Sequence, residues 1–264
     1  MIDLYTLITS IIIGVIEGIT EFLPISSTSH MIIISHLLNI ENNNTKMLEI
    51  FIHFGSALAI LCFFHKKIFQ IIRFKKNNLN KKKHIHVLIA NLPTIFVGLI
   101  YYKQIKLLYN INNIIYSSIL GGCFLLISEI FKPKISNTNN INDINLFQSI
   151  IIGFFQTFSL YPGFSRSGVT IGTAILLGIK RSTGIEFSFI ISIPLLMGAS
   201  FFDLINNFNN IKILNIPIFF IGFIVSFIVS LLFIKKLLKI INKTSLIFFG
   251  IYRFIIVVLI YFIH

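Results

Sequence analysis

Charge is what this sequence has least of. Only 12% of its 264 residues are charged and only nine are acidic, whereas 55% are hydrophobic and the mean hydropathy is +0.89. A soluble domain of this length could bury a core, but its surface would need far more charge. Cysteine is nearly missing too. Cys62 and Cys123 each sit inside an apolar run, so they are expected as small packing residues, with no disulfide framework or thiol metal site. The N-terminus MIDLYTLITS has no basic region, and no small-residue cleavage site follows the first apolar run. That run is therefore expected to be retained. Despite a net charge of +13, no nucleic-acid-binding motif is present, which argues against a nucleic-acid partner.

What is abundant is long apolar sequence: 47–64, 86–102, 111–131, 185–205, 213–234 and 245–263. Each approaches or reaches the roughly 20 residues a bilayer-spanning helix needs. The fold class expected is therefore an all-α polytopic membrane protein. The positive charge is gathered between such runs. Lys66, Lys67, Arg73, Lys75, Lys76 and Lys81 to Lys83 form one cluster, and Lys235, Lys236, Lys239 and Lys243 another. Basic inter-helix loops mark the cytoplasmic side and attract anionic membrane lipids. Threading from both clusters places Lys132, Lys134, Lys180 and Arg181 inside as well, so 146–179 starts and finishes on the cytoplasmic side.

That stretch has two short apolar arms parted by YPGFSRS, and 4–40 is likewise broken by EFLPISSTSH. Irregular backbone at membrane depth must be buried in protein or line a cavity, so both are expected as re-entrant helical hairpins. The two resemble each other: Gly14 aligns on Gly153, Glu17 on Gln156, Pro24 on Pro162, Ser27 on Ser165 and Ser29 on Ser167, with one gap. One copy enters from outside and the other from inside, which predicts an inverted-topology repeat with its site where the broken helices meet. The expected organisation is one integral membrane domain, 1–264. Its first repeat is 1–131 with hairpin 4–40, its second 132–264 with hairpin 146–179, and about six helices span.

The chemistry-bearing residues sit at those breaks. Glu17 and Glu21 share a helix face one turn apart. Carboxylates at membrane depth are costly unless they meet a partner or a polar cavity. As a pair they bind a divalent cation or divide acid and base roles. Beyond Pro24, the residues Ser26, Ser27, Thr28 and Ser29 open the next helix, either as ordinary caps or as an anion site. His30, three residues after Ser27, completes a nucleophile–base pair or is a packed residue. Arg166 brings a planar donor fork suited to phosphate, flanked by Ser165, Ser167 and Thr170. A competing arrangement is an internal salt bridge from Arg166 to Glu17 or Glu21. Pooled, these groups suit a phosphate ester or anhydride, since phosphoryl transfer asks for positive charge, donors and positioning. Glu49, His53, Glu129 and Glu186 are expected to support the site or pair with one another, and Asp143 to be solvated.

The motifs Glu-x-x-x-Glu-Phe-Leu-Pro-Ile-Ser-Ser-Thr-Ser-His at 17–30 and Pro-Gly-x-Ser-Arg-Ser-Gly-x-Thr at 162–170, with EFSFIISIPLLMGA at 186–199, resemble the bacitracin-resistance type of undecaprenyl-diphosphatase. The resemblance covers nearly the whole chain. It implies removal of the terminal phosphate of undecaprenyl diphosphate, a polyprenyl diphosphate lipid, in the bacterial inner membrane, with the active site opening to the outer face. It implies Glu17 and Glu21 as the acidic motif, Ser27 as nucleophile with His30 its partner, and Arg166 with Ser165 and Thr170 holding the diphosphate. A divalent cation, Mg2+ or Ca2+, is implied as cofactor, with Glu17 and Glu21 its ligands. It would also put a carboxylate in the linker before the second hairpin, for which Asp143 is the candidate. A homodimer is left open. The rival from another class is a polyprenyl-phosphate flippase or transporter, which would bind the head group without cutting it.

Overall fold

The computed structural model describes residues 4–38, 43–72, 83–207 and 216–263. Arg73, Lys75, Lys76, Lys81 and Lys82 of the first basic cluster lie outside the described residues. Among the described residues eleven helices follow one another: α1 (Leu4–Thr20), α2 (Ser27–Leu37), α3 (Asn43–Ile72), α4 (Lys83–Ile100), α5 (Tyr102–Leu107), α6 (Ile111–Ile130), α7 (Leu146–Gln156), α8 (Arg166–Leu176), α9 (Arg181–Asn206), α10 (Ile216–Lys243) and α11 (Leu246–Ile263). Short 3-10 turns precede and follow α7. Among the described residues there is no strand, only an isolated bridge between Thr138 and Ile179. Among the described residues, four stretches are long and apolar enough to cross a membrane: Met47–Phe69, Ile111–Ile130, Arg181–Asn206 and Ile216–Lys243. The helices α1, α4, α7 and α11 are apolar but contribute shorter stretches.

The distribution of side chains is that of a protein in lipid. Phe96, Leu232 and Phe262 stand 67–80% exposed on the outer surface, whereas Ser10, Ser56, Ser226 and Ser230 are fully buried. Lipid offers no hydrophobic gain for pulling leucine inward, so helices associate through small residues and hydroxyl bonds. Thus Ser226 donates to the Ile52 carbonyl at 2.7 Å and lies 2.8 Å from Ser56 Oγ, tying α10 to α3. Ser10 donates to the Ile218 carbonyl at 2.8 Å, tying α1 to α10. Cys62 and Cys123, expected to pack inside, are free thiols on the outer surface.

Packing follows a regular scheme. Both α1 and α3 lie on α10, while α7 and α9 lie on α4; α2 meets α11 and α8 meets α6, with α3–α9 and α6–α11 also in contact. Close approach of α3 and α10 needs Gly55, where an added Cβ would fall 2.5 Å from the Phe223 carbonyl oxygen. That neighbour is backbone and cannot swing aside. Gly55→Ala is therefore expected to cost roughly 1–3 kcal/mol, read as a lower melting temperature in detergent.

Candidate active site

Both broken helices restart in the same way. Ser26 caps α2 and Ser165 caps α8, at φ 68° and 72°, a left-handed backbone rare outside glycine. Each hydroxyl accepts from the amide three residues on, Ser29 N in one loop and Gly168 N in the other. The two new helices have the same length, 11 residues. The caps lie 139 residues apart (165 less 26), as do Gly14 and Gly153 (153 less 14). No gap is needed. The expected alignment of Pro24 on Pro162 and Ser27 on Ser165 is one residue out, because the cap serine fixes where each helix begins and the prolines do not. Ser27 instead corresponds to Arg166, each the first residue of its helix.

The remainder of the structure holds these two loops against each other. Ser167 Oγ donates to the Leu23 carbonyl at 2.9 Å, and Ser29 Oγ lies 3.0 Å from Ser118 Oγ on α6. From α11, Arg253 is 1% exposed and donates to the carbonyls of Phe164 at 2.8 Å and Gly163 at 2.5 Å. Gly121 makes the room: a Cβ there would lie 2.5 Å from both Arg253 terminal nitrogens.

Glu21 stands where the loops meet. Its Oε2 accepts from Ser27 Oγ at 2.7 Å and its Oε1 from Arg166 Nη2 at 3.0 Å. The competing salt bridge is thus real, yet it uses one arginine nitrogen. Arg166 Nε and Nη1 are buried with no hydrogen-bond partner among the described residues, two donors held ready for an anion. One turn before Glu21, Glu17 is fully buried and both its oxygens lack a hydrogen-bond partner among the described residues. His53, from α3, brings Nε2 to 3.4 Å from Glu17 Oε1. A carboxylate on a serine hydroxyl, beside a half-satisfied arginine and a second carboxylate, has the parts to accept a proton and to hold an anion.

The bacitracin resistance protein BacA family matches residues 10–259. The chain belongs to that family. It is 72% identical over 268 residues to the undecaprenyl-diphosphatase of Buchnera aphidicola subsp. Acyrthosiphon pisum (strain 5A), the alignment covering 100% of both chains. It is 57% identical over 264 residues, again 100% of both, to the undecaprenyl-diphosphatase of Buchnera aphidicola subsp. Schizaphis graminum (strain Sg). Family and apolar helices together make the chain a multi-pass membrane protein.

Of the residues picked from the sequence, the BacA-family structure brings Glu17, Glu21, Ser27 and Arg166 together. It does not join His30 to Ser27. His30 Nδ1 lies 2.7 Å from the Ser26 carbonyl and Nε2 lies 2.8 Å from Tyr252 Oη, with the two rings stacked. The same-face spacing is present, but α11 captures the imidazole. Ser26 and Ser165 act as caps, and Ser167 links the loops. Thr170 turns to α9, bonding Ser188 Oγ at 2.5 Å and the Arg166 carbonyl at 2.9 Å. Asp143 closes its own turn through Asn140 at 3.2 Å. Glu129 takes Lys132 at 2.6 Å and Arg181, and Glu186 takes Lys67, so these pairs tie helices together elsewhere.

Sequence reasoning placed His53 among weak candidates and passed over Arg253. The signal for Arg253 was there: it is the lone charged residue between 246 and 263, and a charge inside an apolar helix needs a partner. A divalent cation fits the residues present. Ligand atoms of Glu17, Glu21 and His53 lie within 4.8 Å of one another, and the unpartnered Glu17 oxygens supply the negative charge.

Proposed function

We propose that this BacA-family protein hydrolyses undecaprenyl diphosphate to undecaprenyl phosphate and inorganic phosphate, recycling the lipid that carries cell-wall precursors and so supporting the resistance in the family's name. The observation that carries this is Glu21, which grips Ser27 through one oxygen and Arg166 through the other while two buried arginine donors stay open.

The diphosphate is held by Arg166 Nε and Nη1 and by the first-turn amides of α2 and α8, which a helix leaves without carbonyl partners. Glu21 takes the Ser27 proton as Ser27 Oγ attacks the terminal phosphorus. The bond to the bridging oxygen breaks, and undecaprenyl phosphate leaves with the electron pair. Glu21 yields that proton to the departing phosphate oxygen; water then attacks the phosphoserine, giving its proton to Glu21, and Ser27 Oγ takes this proton back as phosphate departs. His30 steadies the first loop by joining Ser26 to Tyr252. A divalent cation held at Glu17 and Glu21 would offset the charge that develops on the diphosphate oxygens.

The protein works in the bacterial inner membrane, with about six spans, two re-entrant hairpins and its site open to the outer face. The paired loops, their common offset and the matched packing of α1 on α10 and α7 on α4 support an inverted repeat. The basic loops support the orientation. The test is phosphate release by purified protein in detergent. Undecaprenyl phosphate and phosphate are expected in equal amounts. Tight binding of the diphosphate without release would replace the phosphatase by a flippase.

A further inference from the structure

We propose that His53 is a nitrogen ligand, completing with Glu17 and Glu21 a mixed site that favours a first-row transition ion such as Zn2+ or Mn2+ over Ca2+. This deepens the reading of the same pocket as a phosphatase centre.

The orientation of the imidazole is the first observation. His53 Nδ1 is 2.7 Å from the carbonyl of Glu49, one turn back on α3. A hydrogen donated there leaves the lone pair on Nε2, the atom that faces Glu17. Fixing the tautomer through the outer nitrogen is how metal-binding histidines are aligned. The second observation is spacing. Nε2 and Glu17 Oε1 are 3.4 Å apart, about the edge of a tetrahedron of ligands at ~2.1 Å from one ion. The third is that Glu17 is fully buried with no hydrogen bond to either oxygen among the described residues. A buried carboxylate is costly in that state, and a cation between Glu17, Glu21 and His53 would relieve it.

Ligand type then sets the preference. Calcium takes six to eight oxygen ligands and magnesium keeps most of its waters, whereas an imidazole nitrogen favours borderline ions. His53 stays 25% exposed at its side chain, which gives the ion a route in and leaves positions for water or phosphate oxygens. The other arrangement open to these atoms is a plain His53–Glu17 ion pair with no metal.

The test uses the full chain in detergent, stripped by chelator and reloaded with Mn2+. Pulsed EPR of the wild type is expected to show nitrogen-14 modulation from a directly bound imidazole, and His53→Gln is expected to lose it. In competition, Zn2+ should displace Mn2+ at far lower concentration than Ca2+ does, with that advantage falling at least tenfold in His53→Gln. Mn2+ bound without nitrogen modulation, no Mn2+ bound at all, or an unchanged advantage in His53→Gln would overturn the proposal. Phosphate release by the same preparations separates the two readings. Release without nitrogen-bound Mn2+ removes this site and keeps the phosphatase; nitrogen-bound Mn2+ without release does the reverse.

Discussion

Arg166→Ala is expected to lower kcat/KM for undecaprenyl diphosphate on the order of 10³-fold or more, the scale of an arginine that meets transferring phosphoryl charge. Nε and Nη1 have no partner among the described residues, so the charge of the substrate is what they would satisfy. Arg166→Lys keeps the charge but loses the fork, because a lysine cannot hold Glu21 and two phosphate oxygens at once. Partial recovery is expected from it. Loss of the arginine also leaves Glu21 a buried carboxylate without its cation, which costs about 3–5 kcal/mol. Adding Glu21→Gln should therefore restore the melting temperature without restoring turnover. Steady-state phosphate release with thermal unfolding checks both. Turnover of Arg166→Ala within tenfold of wild type would remove the arginine from the chemistry.

Ser27→Ala is expected to lose turnover by about 10³-fold or more, the cost of deleting a nucleophile. Ser27 Oγ is the only hydroxyl of the first loop bonded to a carboxylate among the described residues, at 2.7 Å from Glu21. With substrate carrying 32P in its terminal phosphate, an acid quench of wild type should leave label on the protein at Ser27. The variant should leave none. Undiminished release by Ser27→Ala would hand the attack to a water activated by Glu21.

How much of this site could be read from sequence depended on the surroundings of each residue. Glu17, Glu21 and Arg166 stood out because a charge amid Ile and Phe is itself a signal. The helix break at Pro24 was equally visible, as were the runs that became α3, α6, α9 and α10. His53 stood out only as a residue to support the site or pair with another, because its nearness to Glu17 arises from packing of α3 beside α1. The contacts of His30 were hidden for a related reason. Its spacing from Ser27 was right, but Tyr252, more than two hundred residues away in sequence, decides where the ring points. Thr170 likewise answers to Ser188 on α9. The registration of the two loops went astray over the prolines, which are conspicuous letters, whereas the serine caps show their role only through backbone angles.

Those paired caps imply a division of labour. Counting 139 residues from each position of the first loop, Ser27 meets Arg166, Glu17 meets Gln156 and Glu21 meets Leu160. The scaffold is drawn twice, but the reagents are not. In the proposed mechanism one copy carries attacker and base, and the other carries the anion holder at the very position where the attacker stands in the first. Neither copy contains a complete set, and two identical copies would set serine against serine or arginine against arginine. On that reading, the difference between two similar loops is what makes one reaction centre of them, and with acid on only one of them that centre has a front and a back.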